Sequence, residues 1–156
     1  MANADNNAAD LVTEYVTMTI GDHMFGLPIF RVQDVFVPDR LTRVPLAPPE
    51  VAGILNLRGR VVTAIDMRSR LDLGARAKDA PVMAIGIELR GESYGLLVDS
   101  VGEVMPLRNS ACEAKPANLD SRLGRVAAGI YRLEGQLMVV LDVDRVLDIK
   151  NTAMAA

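Results

Sequence analysis

Apolar and polar side chains alternate near the start of the chain. Three apolar residues, Val16, Met18 and Ile20, are separated by two threonines, and a period of two residues indicates a strand with one buried face. A turn at 21–23 and a second apolar stretch at 24–27 follow at once. The pattern therefore predicts a β-hairpin.

The same pattern occurs twice. Residues 16–35 match residues 85–104 at an offset of 69, and residues 53–73 match residues 129–149 at an offset of 76 without a gap. The second pair of stretches is identical at seven of 21 positions, where average residue usage predicts about one or two. The identical pairs are Gly53/Gly129, Ile54/Ile130, Leu57/Leu133, Gly59/Gly135, Asp66/Asp142, Leu71/Leu147 and Asp72/Asp148. Two copies are too few for a solenoid, so we expect two similar half-domains that pack together.

Each copy also predicts short helices. Asp66 and Asp142 each follow an apolar strand, and a carboxylate in that place can accept the free N–H groups of a helix that begins there. Residues 29–35 and 98–104 carry apolar side chains at helical spacing. One such helix in each copy would flank a groove between the half-domains, and that groove would suit a partner helix.

Short strands at regular spacing, bounded by turn residues, indicate small barrels or sandwiches. We therefore expect an all-β fold with a few short helices. A single domain over 13–149 would contain two barrels of about five strands each, over 13–80 and 81–149. Polar residues at the ends predict a disordered tail over 1–12 and a flexible tail over 150–156.

Composition excludes several classes of function. The formal net charge is −3 and the pI is about 5.2, whereas a nucleic-acid-binding domain is expected to carry a basic patch. One Cys and one His predict no internal disulfide and no Cys/His metal cluster. No cofactor motif is present. With no signal peptide and no apolar run of about 18 residues, we expect a cytoplasmic protein without direct membrane insertion.

The equivalent aspartates Asp66 and Asp142 are the first candidates for chemistry. Two carboxylates, one from each half of a duplicated β fold, can share a proton as in the aspartic proteases. Neither aspartate is followed by the small hydroxyl residue and glycine that such a loop requires. Helix capping is the preferred interpretation, and a small hydrolase is the competing hypothesis from a different class.

Arg58 is the second candidate, because its equivalent in the other copy is Glu134. Copies of one ancestor are expected to diverge where one copy has a role that the other lacks. Arg58 can hold a partner's carboxylate through two parallel hydrogen bonds, can pair internally with Asp34, or can be solvated. The first two possibilities are compatible if the ion pair lies on a binding surface.

The motifs resemble those of CheW, the bacterial chemotaxis coupling protein family. The stretch 53–68 is similar to the family signature and begins with Gly-Ile-Leu-Asn-Leu-Arg-Gly. Residues 25–35, 94–104 and 137–147 support the match, which covers roughly residues 14–149. These motifs are specific when taken together in this order, whereas Asn-Leu-Arg-Gly alone would be a weak signal.

The resemblance implies two intertwined five-stranded barrels of the SH3-like type. It implies a non-catalytic scaffold that joins the cytoplasmic helical tip of membrane chemoreceptors to the histidine kinase CheA, at membrane receptor arrays. The receptor tip is expected to lie in the groove between the barrels, and the family pattern supports an ion pair between Asp34 and Arg58. Carried onto this chain, the receptor-binding residues are Ile29, Val32, Asp34, Arg58, Val101 and Val104.

The regulatory domain of the kinase has the same fold in this family and is expected to dock barrel end to barrel end. The corresponding residues are Leu41, Thr42, Arg43, Gly53, Lys115, Pro116 and Asn118. The chain departs from the family at 117–118, where Ala and Asn replace a frequent aromatic residue, and this departure bears on the barrel-end contacts. The sequence leaves two further hypotheses open, a detached CheA-type regulatory domain and a protein that binds single-stranded nucleic acid.

Overall fold

A computed structural model describes residues 11–149, over which the chain forms ten strands and three short helices. The strands are β1 Val12–Ile20, β2 His23–Pro28, β3 Asp34–Phe36, β4 Val51–Leu57, β5 Arg60–Asp66, β6 Met83–Leu89, β7 Glu92–Val98, β8 Ser100–Arg108, β9 Ala127–Leu133 and β10 Gln136–Leu141. The helices are α1 Met67–Arg70, α2 Ser121–Gly124 and α3 Val143–Val146, and 3-10 turns cover Ile29–Arg31 and Asn109–Ala111. Strand β1 begins inside the predicted tail 1–12, while residues 1–10 and the predicted tail 150–156 lie outside the described residues.

The strands form two five-stranded sheets, which confirms the expected all-β fold. One sheet has the order β8-β1-β2-β10-β9 and is here named the terminal sheet, because its strands come from both ends of the described chain. The other has the order β3-β6-β7-β5-β4 and is named the central sheet. Each sheet contains one parallel pair, β2 with β10 and β5 with β7, and its other pairs are antiparallel.

The predicted division between residues 80 and 81 separates the two sequence repeats but not the two sheets. The central sheet is built from the continuous segment 34–98, and the terminal sheet from the segments 12–28 and 100–141. The first hairpin of each repeat therefore joins the sheet that contains the last strands of the other repeat. This exchange is the intertwining that the resemblance implies, and it corrects the assignment of 13–80 and 81–149 to separate barrels.

Side chains alternate between a core shared by the sheets and a core private to each sheet. In β10, Val139 and Leu141 face the shared core, while Met138 and Val140 face the private core of the terminal sheet. Both faces of such a strand are therefore buried, which explains its continuous apolar run. Tyr131 lies in the same private core, where its pKa is raised by burial and by the hydrogen bond it shares with Tyr15.

The predicted helices over 29–35 and 98–104 are wrong. Residues 29–35 form one 3-10 turn and the start of β3, and residues 100–104 belong to β8. The pairing of β1 with β8 contains a bulge, in which Val16 and Met18 lie opposite Val104 and Val101. A bulge adds one residue to one strand of the pair and resets its alternation, so apolar residues three apart in β8 imitate a helical period.

Candidate functional site

An ion pair between Asp34 and Arg58 lies on the surface of the central sheet. Arg58 Nη1 donates to Asp34 Oδ2 at 2.6 Å, and Asp34 Oδ1 accepts from Val35 N at 2.9 Å. The Arg58 side chain is 77% exposed, whereas that of Asp34 is only 24% exposed. The predicted pair is therefore formed, and the other guanidinium donors of Arg58 stay open to solvent.

The turn between β4 and β5 fixes the position of Arg58. Arg58 has a φ of 53° and Gly59 a φ of 81°, and two positive values in succession match a two-residue hairpin turn of type I′. Asn56 Oδ1 accepts from Gly59 N at 2.9 Å and closes the turn. Beside the ion pair lies an open cleft of about 430 Å³, whose walls include Phe36, Leu57 and Tyr94. A charged group thus stands at the edge of a partly apolar depression.

Four apolar residues of the predicted receptor site divide into two classes. Ile29 and Val104 are exposed, while Val32 and Val101 are half-buried against the shared core. Strand β1 lies between the two exposed residues, because Tyr15 pairs with Pro28 on one side and with Met105 on the other. Neighbouring strands are about 4.8 Å apart, so Ile29 and Val104 border the same short stretch of β1.

Sequence reasoning missed Phe30, which is 77% exposed within the 3-10 turn Ile29–Arg31. An exposed aromatic side chain on this surface is a strong candidate for contact with a partner, because aromatic anchors dominate many interfaces. The repeat contains the signal that could have found it. At the offset of 69, Phe30 is equivalent to Asp99. The first copy therefore has an apolar aromatic residue where the second has an acidic one.

Asp99 joins the two sheets where the chain passes from β7 to β8. Its carboxylate accepts from Arg68 Nε at 3.0 Å, from Arg68 Nη2 at 2.7 Å, from Arg76 Nε at 3.3 Å and from Gly21 N at 2.8 Å. Its backbone N–H donates to Thr19 O at 3.0 Å. Burial alone would raise the pKa of Asp99, but the hydrogen bonds from Arg68 and Gly21 and the nearby arginine charges together hold it below its ordinary value. Asp99 therefore holds the terminal-sheet turn against α1 of the central sheet.

Four predicted kinase-binding residues come together at the β4 edge of the central sheet. Thr42 and Ile54 exchange two backbone hydrogen bonds of 2.8 Å, and the exposed Leu41 precedes this bridge. Gly53 has a φ of 154°, and a Cβ built on it would lie 2.6 Å from Thr42 O. Only glycine permits this close approach. Gly53 is itself buried, so the exposed surface here is formed by Leu41, Thr42 and Arg43, and we name it the β4 end.

The other three predicted residues, Lys115, Pro116 and Asn118, lie at the equivalent edge of the terminal sheet. Glu113 bridges Ile130 of β9 just as Thr42 bridges Ile54 of β4. Lys115 Nζ donates to Gly124 O at 2.8 Å and fastens the loop to α2. We name this surface the β9 end. Because the two ends belong to different sheets, the seven predicted kinase-binding residues lie at two separate places rather than on one surface.

Asp66 and Asp142 cap the helices that follow them. Asp66 Oδ1 accepts from Arg68 N at 3.1 Å, and Asp142 Oδ1 accepts from Arg145 N at 3.3 Å. This confirms the capping prediction for both aspartates. Each carboxylate is engaged by its own helix, so the geometry gives no support to the shared-proton arrangement of a hydrolase. Among residues 11–149, no cluster of three or more His, Cys, Asp or Glu side chains could hold a metal ion.

Over the described range, no helix is both long enough and apolar enough to span a bilayer.

Comparison with known proteins gives one consistent result. The family model of the CheW-like domain matches residues 14–151. The chain is 26% identical to the chemotaxis protein CheW of Rhizobium meliloti (strain 1021), over 94% of each chain. It is also 26% identical to the chemotaxis protein CheW of Bacillus subtilis (strain 168), over 90% of each chain. Among solved structures, the scaffolding protein TtCheW from Thermoanaerobacter tengcongensis superimposes with a TM-score of 0.81 at 27% identity, covering 92% of this chain and 98% of that one.

Proposed function

Because this chain belongs to the CheW-like family, we propose that it is a non-catalytic chemotaxis adaptor that couples membrane chemoreceptors to the histidine kinase CheA. An adaptor of this kind needs two separate binding surfaces on one body. The ion pair of Asp34 with Arg58 lies on one candidate surface, and the β4 end is the other. Binding to receptors would place the protein at membrane receptor arrays.

The observation that carries the proposal is the exposed Arg58, which pairs with Asp34 of β3, together with the exposed apolar turn that leads into the same strand. Ile29 and Phe30 are exposed in the 3-10 turn that leads into β3, the strand that holds Asp34. An amphipathic helix binds through apolar anchors and is oriented by charges at their edge. In this proposal the receptor tip lies against Ile29, Phe30 and Val104, and Arg58 pairs with one of its carboxylates.

The second copy lacks this combination at its equivalent positions. Glu134 replaces Arg58, Glu103 replaces Asp34 and Asp99 replaces Phe30. Two acidic side chains cannot form the ion pair found in the first copy, and Asp99 is engaged by Arg68 and Gly21. The asymmetry supports a single receptor surface on a duplicated fold.

We assign the kinase to the β4 end rather than to the β9 end. A regulatory domain that docks onto one end of the molecule meets only one of these two surfaces. The β4 end exposes Leu41, whereas the loop of the β9 end is fastened to α2 through Lys115. Interfaces of this kind bury about 800 Å² on each partner, so Leu41, Thr42 and Arg43 would be the centre of a larger contact. The buried Gly53 would contribute indirectly, by letting Thr42 lie close to β4.

Reversal of the Arg58 charge tests the receptor assignment. The variant Arg58→Glu should fold normally but fail to co-sediment with receptor-bearing membranes, because the new carboxylate repels both Asp34 and the partner's acidic group. Arg132→Glu is a matched control on the other sheet: Arg132 lies in β9, its side chain is 60% exposed, and it pairs with Glu113 at 3.0 Å. Normal receptor binding by Arg58→Glu, or equal loss in both variants, would contradict the assignment.

A reciprocal exchange separates a structural ion pair from a binding arginine. The double variant Asp34→Arg with Arg58→Asp restores opposite charges at the same two places. If the pair only stabilises the turn, the double variant should recover the receptor binding that Arg58→Asp loses. Our proposal predicts that stability recovers and receptor binding does not.

A further inference from the structure

Leu46 occupies a backbone conformation that leucine rarely adopts. Its φ is 63°, and Val44 O accepts from Ala47 N at 3.3 Å across the turn. Pro45 and Leu46 are thus the two central residues of this turn, in the places where a type II turn favours proline and then glycine. A side chain in the left-handed region is strained, and glycine or asparagine would relieve that strain.

The Leu46 side chain is also 79% exposed, the highest value among the large apolar residues of the described chain. Of the five non-glycine residues with positive φ between 11 and 149, the other four are charged. Leu46 therefore combines backbone strain with an apolar group in solvent, and neither stabilises the isolated protein. Strain of this kind is typically retained at functional sites.

The loops that precede β4 and β9 are equivalent in the two copies, but only the first exposes large apolar side chains. The loop over 37–50 exposes three large apolar residues, Val37, Leu41 and Leu46. The loop over 109–126 at the β9 end exposes none, and its Leu123 is buried. Both loops bridge the edge of a sheet in the same manner. Bridging the sheet edge is common to both loops, so it does not explain why only the loop over 37–50 exposes apolar residues.

Leu46 is continuous with the β4 end. The chain leaves the bridge at Thr42, turns at Leu46 and returns to β4 through the hydrogen bond from Val51 N to Pro48 O at 2.9 Å. Three prolines at 45, 48 and 49 stiffen this path. The loop also contributes Val44 and Ala47 to a small apolar cleft against β4. Leu46 is therefore held at a fixed place on the rim of the surface that we assign to the kinase.

We propose that Leu46 is an apolar anchor that inserts into the regulatory domain of the kinase at the β4 end. The proposal rests on the assignment of the kinase to that end. The rigid turn holds the anchor ready before contact, so little side-chain and loop freedom is lost on binding. The partner must then offer an apolar pocket that accepts a single leucine.

The substitution Leu46→Asn separates anchoring from folding, because asparagine tolerates the left-handed conformation. Affinity for purified CheA, measured by calorimetry, should fall about tenfold or more, as for other interface anchors. The melting temperature should stay equal or rise. Leu46→Gly should behave similarly. Leu137→Asn, on the terminal sheet, is the control for loss of an exposed leucine, and it should leave kinase affinity unchanged.

A second variant, Leu41→Glu, separates the assignment of the kinase to the β4 end from the anchor role of Leu46. If Leu41→Glu weakens kinase binding and Leu46→Asn does not, the kinase assignment stands and Leu46 is not an anchor. If neither variant weakens binding, the assignment of the kinase to the β4 end is itself wrong. A lower melting temperature for Leu46→Asn would also overturn the proposal, because the side chain would then be holding this protein's own fold.

Discussion

The chain passes between its two sheets at two equivalent points. An exposed aromatic side chain lies at one of them and a hydrogen-bonded carboxylate at the other. At the first crossing, Phe30 projects into solvent from a 3-10 turn. At the second, Asp99 accepts hydrogen bonds from Arg68, Arg76 and Gly21. The second crossing ties the two sheets together, which leaves the first available for contact with a partner. A duplicated fold can thus assign stability to one copy and recognition to the other.

The largest effect is expected from loss of the carboxylate at the second crossing. Asp99→Ala leaves Arg68 and Arg76 without their acceptor in a region where their side chains are mostly buried, which should cost roughly 2–4 kcal/mol of unfolding free energy. Chemical denaturation measures this change. Asp144→Ala removes the acceptor of the exposed Arg90 pair and should cost at most about 0.5 kcal/mol. Equal costs in the two variants would refute the special role of the crossing.

Alanine substitution at two equivalent glycines, Gly53 and Gly129, should also differ in its cost to stability. A Cβ at Gly53 would meet the backbone oxygen of Thr42 at 2.6 Å with φ at 154°, whereas a Cβ at Gly129 would meet Cys112 Sγ at 2.9 Å and Glu113 O at 3.0 Å without a positive φ. Gly53→Ala should therefore cost about 2–3 kcal/mol, against about 1 kcal/mol for Gly129→Ala. Thermal unfolding of both variants tests the ranking, and a larger loss at Gly129 would contradict it.

Phe30→Ser should separate binding from stability at the first crossing. An exposed side chain contributes little to folding, so unfolding free energy should change by less than about 0.5 kcal/mol. Affinity for receptor-bearing membranes should fall about tenfold, because an aromatic anchor is lost. Val61→Ser removes another exposed apolar side chain of the central sheet and should leave receptor affinity unchanged. A destabilised Phe30→Ser protein would show that this crossing, too, is structural.

Acid pH should produce the smallest of these effects. The pKa of Asp99 in the folded protein lies below its ordinary value of 3.8, so the unfolded chain takes up its proton first as pH falls. The carboxylate therefore stabilises the fold above pH 3.8, and this stabilisation is lost as pH falls through the lower folded pKa.

Asp99→Asn removes only this component of the pH dependence. Hydrogen bonds from Arg122 also lower the pKa of Asp120, to about 2, but both proteins contain that group. The difference in stability between wild type and Asp99→Asn should thus shrink between pH 3.8 and more acid conditions. A difference that stays constant across that range would contradict the assigned role of the charge.

The sequence predicted the features that depend on local or repeated patterns. The repeat placed Asp66 and Asp142 in equivalent caps, because an N-cap needs only the residues that follow it. The family pattern supported the pair of Asp34 with Arg58, which the structure confirms. The roles of the individual receptor and kinase residues stay predictions.

The features that the sequence did not predict depend on pairing between distant strands. The repeat is equally compatible with sheets closed within each copy and with exchanged hairpins, so the division at 80/81 followed the repeat rather than the pairing. The bulge opposite Val101 and Val104 gave strand residues a helical spacing. The contrast between Phe30 and Asp99 was present in the aligned copies, but its meaning required knowing that both residues lie at crossings between sheets.

One body with two separate binding surfaces is the central claim for this protein. Co-sedimentation of CheA with receptor-bearing membranes through this protein tests it most directly, with Arg58→Glu and Leu41→Glu compared side by side. We predict that Arg58→Glu still binds CheA, that Leu41→Glu still binds the membranes, and that neither carries CheA to the membranes. Loss of both partners by either folded variant would contradict the claim.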